Sequence, residues 1–482
     1  MLGTHIKQEL NKLTINKNTK IMSRLVNATR QYDSTTANGA ITHSTSLSAC
    51  LDLFFIAGAS RNIGVSDIIL MFERARGENK NLAYKILFWA RDARGGAGEK
   101  RFFQIIMAHI SKVYPIEYDQ LAIYIPEFGY WKDAFMIESP NENNLNWLSI
   151  QLEESSNANL LAKWFPRKGK WFSAMHRYLN VTPKEFRKKL VSMTNVVETQ
   201  MCAAEWDKIN YGQVPSLAMN KYRNAFYNRD GKRYADYIND VHAGKAKINA
   251  SVLFPHQLYQ AINNGENADA VEAQWINLPN YMADSTERII PVCDVSGSMN
   301  GLPMDVSVSL GIYISERNQG IFKDAFITFS DRPKMNYLKG SLSERMRQLS
   351  NADWGMSTNL QATFDLILNS AIRESLPESE MPTKLLIISD MEFNQADRNQ
   401  TNLNSIRHKY AAAGYTMPEI VFWNVNGRLG NVPASVNDSG IGLVSGFSPS
   451  VLKSVLQGEI YSPEQLMLDT VDTARYSCIG TE

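Results

Sequence analysis

The feature that most restricts how this chain folds is Arg288-Ile289-Ile290-Pro291-Val292-Cys293-Asp294-Val295-Ser296-Gly297-Ser298-Met299. An unbroken apolar run of this length reads as a buried strand. It ends in one carboxylate, Asp294. Two hydroxyls, Ser296 and Ser298, follow at alternate positions on a turn loosened by Gly297, and a helical run starts at Pro303. Open α/β sheets bind ligands at the carboxyl ends of their strands. Asp294, Ser296 and Ser298 are therefore expected to project from one loop into one crevice. A carboxylate with neutral hydroxyls suits a hard cation that prefers oxygen ligands and keeps some water. The plainer alternative is that the two serines only cap the following helix.

Two later stretches repeat the theme. Gly355-Met356-Ser357-Thr358-Asn359 places a hydroxyl on a second loop, and Leu385-Leu386-Ile387-Ile388-Ser389-Asp390 ends a second apolar run in a carboxylate. Together, D-x-S-x-S, a later Thr and a later Asp resemble the metal-ion-dependent adhesion site (MIDAS) of von Willebrand factor A domains. The resemblance implies that Ser296, Ser298 and Thr358 touch Mg²⁺, or another divalent cation, directly. It implies that Asp294 and Asp390 act through bound water, and that one position stays open for an acidic group from a protein partner. Glu392, two residues past Asp390, could also approach the metal; its plainer reading is a solvated loop acid.

The pattern around these loops alternates strands and helices. Strands are expected at 289–293, 326–329, 334–338, 384–389, 419–423 and 440–444. Helices are expected at 304–318, 343–350, 359–374, 401–413 and 463–473. Such alternation specifies a mostly parallel, doubly wound α/β sheet, Rossmann-like in layout, over 285–482. The last helix is expected to fold back on the first half.

A chain of 482 residues is too long for one compact core. Residues 1–45 are polar and read as an N-terminal arm, with 27–45 its least structured part. From 46 to 275 apolar positions recur at helical spacing, as in Ala83, Ile86, Leu87 and Ala90. Successive helices without strands imply an all-α, HEAT-like stack of helix pairs. Within it, Trp89 to Arg101 holds three glycines and four basic residues. It lacks the Gly-Lys-Ser/Thr of a phosphate loop and has no preceding strand, so it reads as a tight turn between helices. Arg91, Arg94 and Arg101 remain candidates for contact with a polyanion.

Net charge is +1, yet 160–260 holds 17 Lys and Arg against seven Asp and Glu. Overall neutrality hides a basic segment. Aromatic residues such as Trp164, Tyr178 and Tyr227 interleave with the charges. Basic groups neutralise phosphates, and exposed rings stack unpaired bases. Candidate RNA contacts are Arg167, Lys168, Lys170, His176 and Arg177, then Arg187, Lys188 and Lys189, and finally Arg223, Lys232 and Arg233. The competing reading makes most rings core and the charges a solvated helix face.

A helical region, basic in part, followed by a von Willebrand A domain is similar to the Ro ribonucleoprotein (TROVE) architecture. Arg91-Asp92-Ala93-Arg94-Gly95-Gly96-Ala97-Gly98-Glu99, Phe128-Gly129-Tyr130-Trp131-Lys132-Asp133 and Leu161-Ala162-Lys163-Trp164-Phe165-Pro166 also resemble a related uncharacterised family of plants and viruses. So does Tyr178-Leu179-Asn180-Val181-Thr182-Pro183-Lys184-Glu185-Phe186-Arg187. The resemblance implies binding of small non-coding or misfolded RNA. A metal-dependent protein-interaction scaffold without an RNA role, cellular or virion-associated, is the alternative. An enzyme is not expected, because no His stands near the Asp294 cluster as a base. The four cysteines are widely separated and no run of about 18 apolar residues occurs. A cytoplasmic protein is the expectation.

Overall fold

The structure, a computed structural model, describes residues 33–330, 332–350, 352, 358–394, 402–456 and 458–481. A helical region from Ala49 to Ile276 precedes an α/β domain. The first helix, Ala49–Ala57, starts where the Ser48 side chain accepts the Leu51 amide. Its residues are apolar nearly all round, and it lies wholly inside, with Leu53, Phe54 and Phe55 fully buried. Val65–Glu78 and Lys80–Arg91 pack against it, and Lys100–Val113 packs on those two. Further along, Pro183–Met193 starts on a capping box between Thr182 and Glu185, with proline in its first turn.

The strands are β1 (Ser34–Thr35), β2 (Ile41–Thr42), β3 (Ile289–Cys293), β4 (Ala325–Thr328), β5 (Met335–Tyr337), β6 (Lys384–Ser389), β7 (Glu419–Asn424) and β8 (Ile441–Ser445). The last six form one sheet in the order β5-β4-β3-β6-β7-β8. All its pairings are parallel except the edge pair β4–β5. From β3 the chain moves first to β4 on one side, then crosses to β6 on the other. The crevice beyond the ends of β3 and β6 is thus the point where the strand order reverses, the place where such sheets bind ligands.

Each expected strand and helix of this domain is present, with ends shifted by one or two residues. The N-terminal arm differs. Residues 34–42, expected as loop, form the antiparallel hairpin β1–β2, which lies against the loops after β6 and β7. The rest of the arm, 1–32, lies outside the described residues.

One apolar core runs through both halves, and a second, smaller one gathers Ile209, Met219, Phe226, Tyr234 and Ile238. The halves meet along a tight seam. Ser445 Oγ, at the end of β8, donates to Phe54 O at 2.9 Å and accepts from the Gly58 amide at 3.0 Å. A Cβ on Gly58 would sit 2.6 Å from the Ser445 carbonyl, so only glycine fits there. The helix Pro463–Val471 packs on Ala49–Ala57 and Lys80–Arg91, as expected for a helix folding back.

Candidate metal centre and basic surface

Asp294 lies one residue beyond β3, and its carboxylate is fully buried. Oδ1 accepts the Ser296 amide at 2.8 Å, and Oδ2 accepts the Ser389 hydroxyl at 2.6 Å. Parallel pairing of Cys293 with Ile388 sets this register, so the ends of β3 and β6 arrive side by side. Burial, and then the neighbouring charge of Asp390, push the Asp294 carboxyl up to about 6. Such a crowded carboxylate pair gains from a nearby cation.

The Ser296 and Ser298 hydroxyls lie 3.1 Å apart. Adjacent ligands in an octahedral Mg²⁺ shell are about 3 Å apart, from metal–oxygen bonds of 2.0–2.1 Å. The donor set therefore fits a small, hard cation. Among the described residues no group of three or more His, Cys, Asp or Glu is arranged to hold an ion. The fit rests on hydroxyls backed by two carboxylates.

Asp390 is buried, and Arg428 from the loop after β7 donates to its Oδ2 at 3.1 Å. Met391, at φ 67°, bends the chain so that the Glu392 amide points back to Asp390 Oδ1 at 3.3 Å. The Thr358 hydroxyl donates to the Glu392 carbonyl, and its other bonds run to Asn38 and Asn394. Bonds tie Asp294 to Ser296 and Ser389 and Ser296 to Ser298. Asp390 follows Ser389 in the chain, and Glu392 links it to Thr358.

Glu392 corrects its reading as a solvated acid. It is 5% exposed, and its carboxylate takes the Ala37 amide at 2.5 Å and the Asn431 amide group at 3.1 Å. The reading of the sequence missed Glu392 as an anchor, and it missed Ser389, Arg428 and Asn38. Ser389, directly before Asp390 at the strand end, carried a usable signal. Arg428 and Asn38 did not, because only the fold brings them near.

The basic candidates divide by burial. Arg91 is 1% exposed and pairs with Asp133, its Nη2 2.6 Å from the carboxylate. Arg223 is 2% exposed and pairs with Glu266 at 2.8 Å. Neither reaches a polyanion, and that expectation is withdrawn for both. Arg101 spends its guanidinium on the Ser60 and Ile63 carbonyls, and Arg167 on those of Ala162 and Phe165. Arg94 is exposed but donates to Glu127 O at 2.8 Å, and His176 is half-buried against Val181 O.

Lys168, Lys170, Arg177, Arg187 and Lys188 are exposed on or beside the helices Lys170–Tyr178 and Pro183–Met193. Lys170 also meets Glu138 at 2.8 Å, and Lys189 meets Glu153 at 3.2 Å. Lys232 and Arg233 are exposed on the helix Gly231–His242, part of the second core, with Arg233 tied to Asp230. The interleaved rings divide too. Phe165, Trp171, Phe172 and Phe186 are core, whereas Trp164 and Tyr178 keep 41% and 39% of their surface.

An uncharacterised protein of Acanthamoeba polyphaga mimivirus is 32% identical over 502 residues, covering 91% of this chain and 87% of its own. This chain belongs to the same family. The family described as domain of unknown function DUF2828 matches 150–287, and that described as domain of unknown function DUF7788 matches 288–476. The two matches meet immediately ahead of β3. The crystal structure of the Ro (RSR) protein of Deinococcus radiodurans overlaps 88% of this chain and 87% of its own, at 13% identity and a TM-score of 0.31. That score is too low to carry an argument about fold or function. Among the described residues no helix is long and apolar enough to cross a membrane.

Proposed function

We propose that this is a Ro-like, RNA-binding protein of the cytoplasm whose α/β half is a von Willebrand A domain with a Mg²⁺ site. The observation that carries the RNA reading is the exposed basic surface of Lys168, Lys170, Arg177, Arg187 and Lys188, with Trp164 and Tyr178 open beside it. Cations there neutralise phosphates, and flat rings take unpaired bases. The helices behind it are read as HEAT-like pairs that hold this surface rigid. Small non-coding or misfolded RNA with single-stranded ends is the substrate class.

In the α/β half, Ser296, Ser298 and Thr358 would hold the ion, with Asp294 and Asp390 behind its water. A bound Mg²⁺ supplies a fixed positive charge to which an acidic protein group docks. The role is binding rather than catalysis. A second reading, a metal-dependent protein scaffold, is favoured by the hydroxyl pair beside buried Asp294. In that case the basic surface is only solvated.

Fluorescence anisotropy with a labelled single-stranded RNA, at 50 and 200 mM salt, separates the two. The RNA reading expects affinity to fall steeply with salt, by roughly 0.7 log units per log unit of salt for each phosphate contacted. Binding that is absent, or indifferent to salt, leaves only the scaffold.

A further inference from the structure

The contacts of the arm hairpin run to Thr358 and to the loop that follows β6. Asn38, at the turn between β1 and β2, donates from Nδ2 to the Glu392 carbonyl at 2.7 Å and approaches Thr358 Oγ1 at 3.5 Å. The Ala37 amide donates to Glu392 Oε2 at 2.5 Å, and Thr36 Oγ1 donates to Phe393 O at 2.7 Å. Gly39 bridges to Asn394. Farther back, Ser34 Oγ reaches Gly430 O at 2.7 Å and Thr42 Oγ1 reaches Val432 O at 2.8 Å. Two loops far apart in sequence, at 358 and 390–394, are thus stitched together by a third segment more than 300 residues upstream of both.

The chemistry has a direction. The Thr358 hydroxyl spends its proton on the Glu392 carbonyl. That leaves oxygen lone pairs, which are what a cation needs. The Asn38 amide sits on the same carbonyl and so holds acceptor and hydroxyl in one place. Asn38 itself is exposed. Glu392, the other acid in this loop, has its carboxylate occupied by Ala37 and Asn431.

We infer that the N-terminal hairpin is a working part of the metal centre, with Asn38 the positioning residue that fixes Thr358 through the Glu392 carbonyl. The inference rests on the Mg²⁺ reading above. It makes the arm and the ion reciprocal: whatever the docked hairpin adds to ion affinity, the ion returns as hairpin stability.

Mn²⁺ titration by calorimetry of the full chain and of Asn38→Ala, with thermal melts of both, tests this. Groups that orient metal ligands are typically worth about 10–100-fold in affinity, so Asn38→Ala is expected to bind Mn²⁺ at least about 10-fold more weakly with an unchanged melt. Hydrogen exchange over 34–43 in the wild-type chain is the second readout. Saturating Mn²⁺ is expected to slow it, and Asn38→Ala to abolish most of that slowing. If wild type binds Mn²⁺ and Asn38→Ala binds it equally, with exchange unmoved, the hairpin has no such role while the metal site stands. If wild type binds no Mn²⁺, the site and this inference fail together.

Discussion

Two loops in this protein look alike on paper and behave oppositely. Both follow a buried apolar run, both carry glycine, and both hold a buried carboxylate. In the 91–99 loop the charges find partners within the protein. Arg91 meets Asp133, Glu99 meets Arg61 at 2.9 Å, and Asp92 takes the amides of Arg94 and Gly95 together with Arg475 and Tyr476. In the 294–298 loop the carboxylate meets only amide and hydroxyl donors, and the two hydroxyls face each other. A cluster that closes its own charges is a seam, and one that leaves lone pairs gathered without a cation is a candidate site. A buried carboxylate alone does not tell them apart.

The sharpest break of this contrast comes from matched substitutions. Arg91→Ala strands the buried Asp133 carboxylate, which costs about 3–5 kcal/mol. Urea unfolding should show that loss, and the folded fraction should still bind Mn²⁺. Asp294→Ala should do the reverse, weakening Mn²⁺ by about 10–100-fold in calorimetry while leaving the metal-free melt nearly unchanged. Should both variants lose only stability, the crevice is merely a second seam.

Proton binding at the seam gives the next effect. His256 packs against Phe447, whose ring Arg61 covers at 4.0 Å. Burial, then the Arg61 charge, lower its pKa from 6.5 to about 3. A histidine held neutral in the fold but free to charge once unfolded stabilises the protein fully above pH 6.5. That contribution declines as pH falls toward 3 and amounts to a loss of about 2 kcal/mol at pH 5. Unfolding curves at pH 7.5 and 5.0 should show the drop, and His256→Phe should flatten it.

The basic surface offers a smaller, graded test. Arg187→Gln with Lys188→Gln should lower the salt slope of RNA binding by roughly 1.4, at about 0.7 per phosphate on single strands. Lys189→Gln, already paired with Glu153, should shift stability by less than about 0.5 kcal/mol and RNA affinity by little. Equal effects from Arg187 and Lys189 would show that pairing does not sort these charges.

The sheet was legible because buried parallel strands leave continuous apolar runs, as in 289–293 and 384–389, and each ended at a residue of the site. The seam was not. Arg91 and Asp92 look like free charge until Asp133, Arg475 and Tyr476 are placed beside them, and Arg475 lies 383 residues downstream. The hairpin escaped for another reason. Strands of two residues have no periodicity, and their polar sequence pairs only because the loops at 390–394 and 430–432 offer an edge.

The bond from Tyr476 to Asp92 also sets a timetable. As the chain is synthesised, the helix Lys80–Arg91 is made early, but Asp92 gains its cation Arg475, and Lys85 its partner Asp472, only when residues 472–476 leave the ribosome. Until then the first half carries an uncovered apolar side and a carboxylate without its cation. It is a surface for chaperones to hold, and a reason for the two halves to be inherited as one piece.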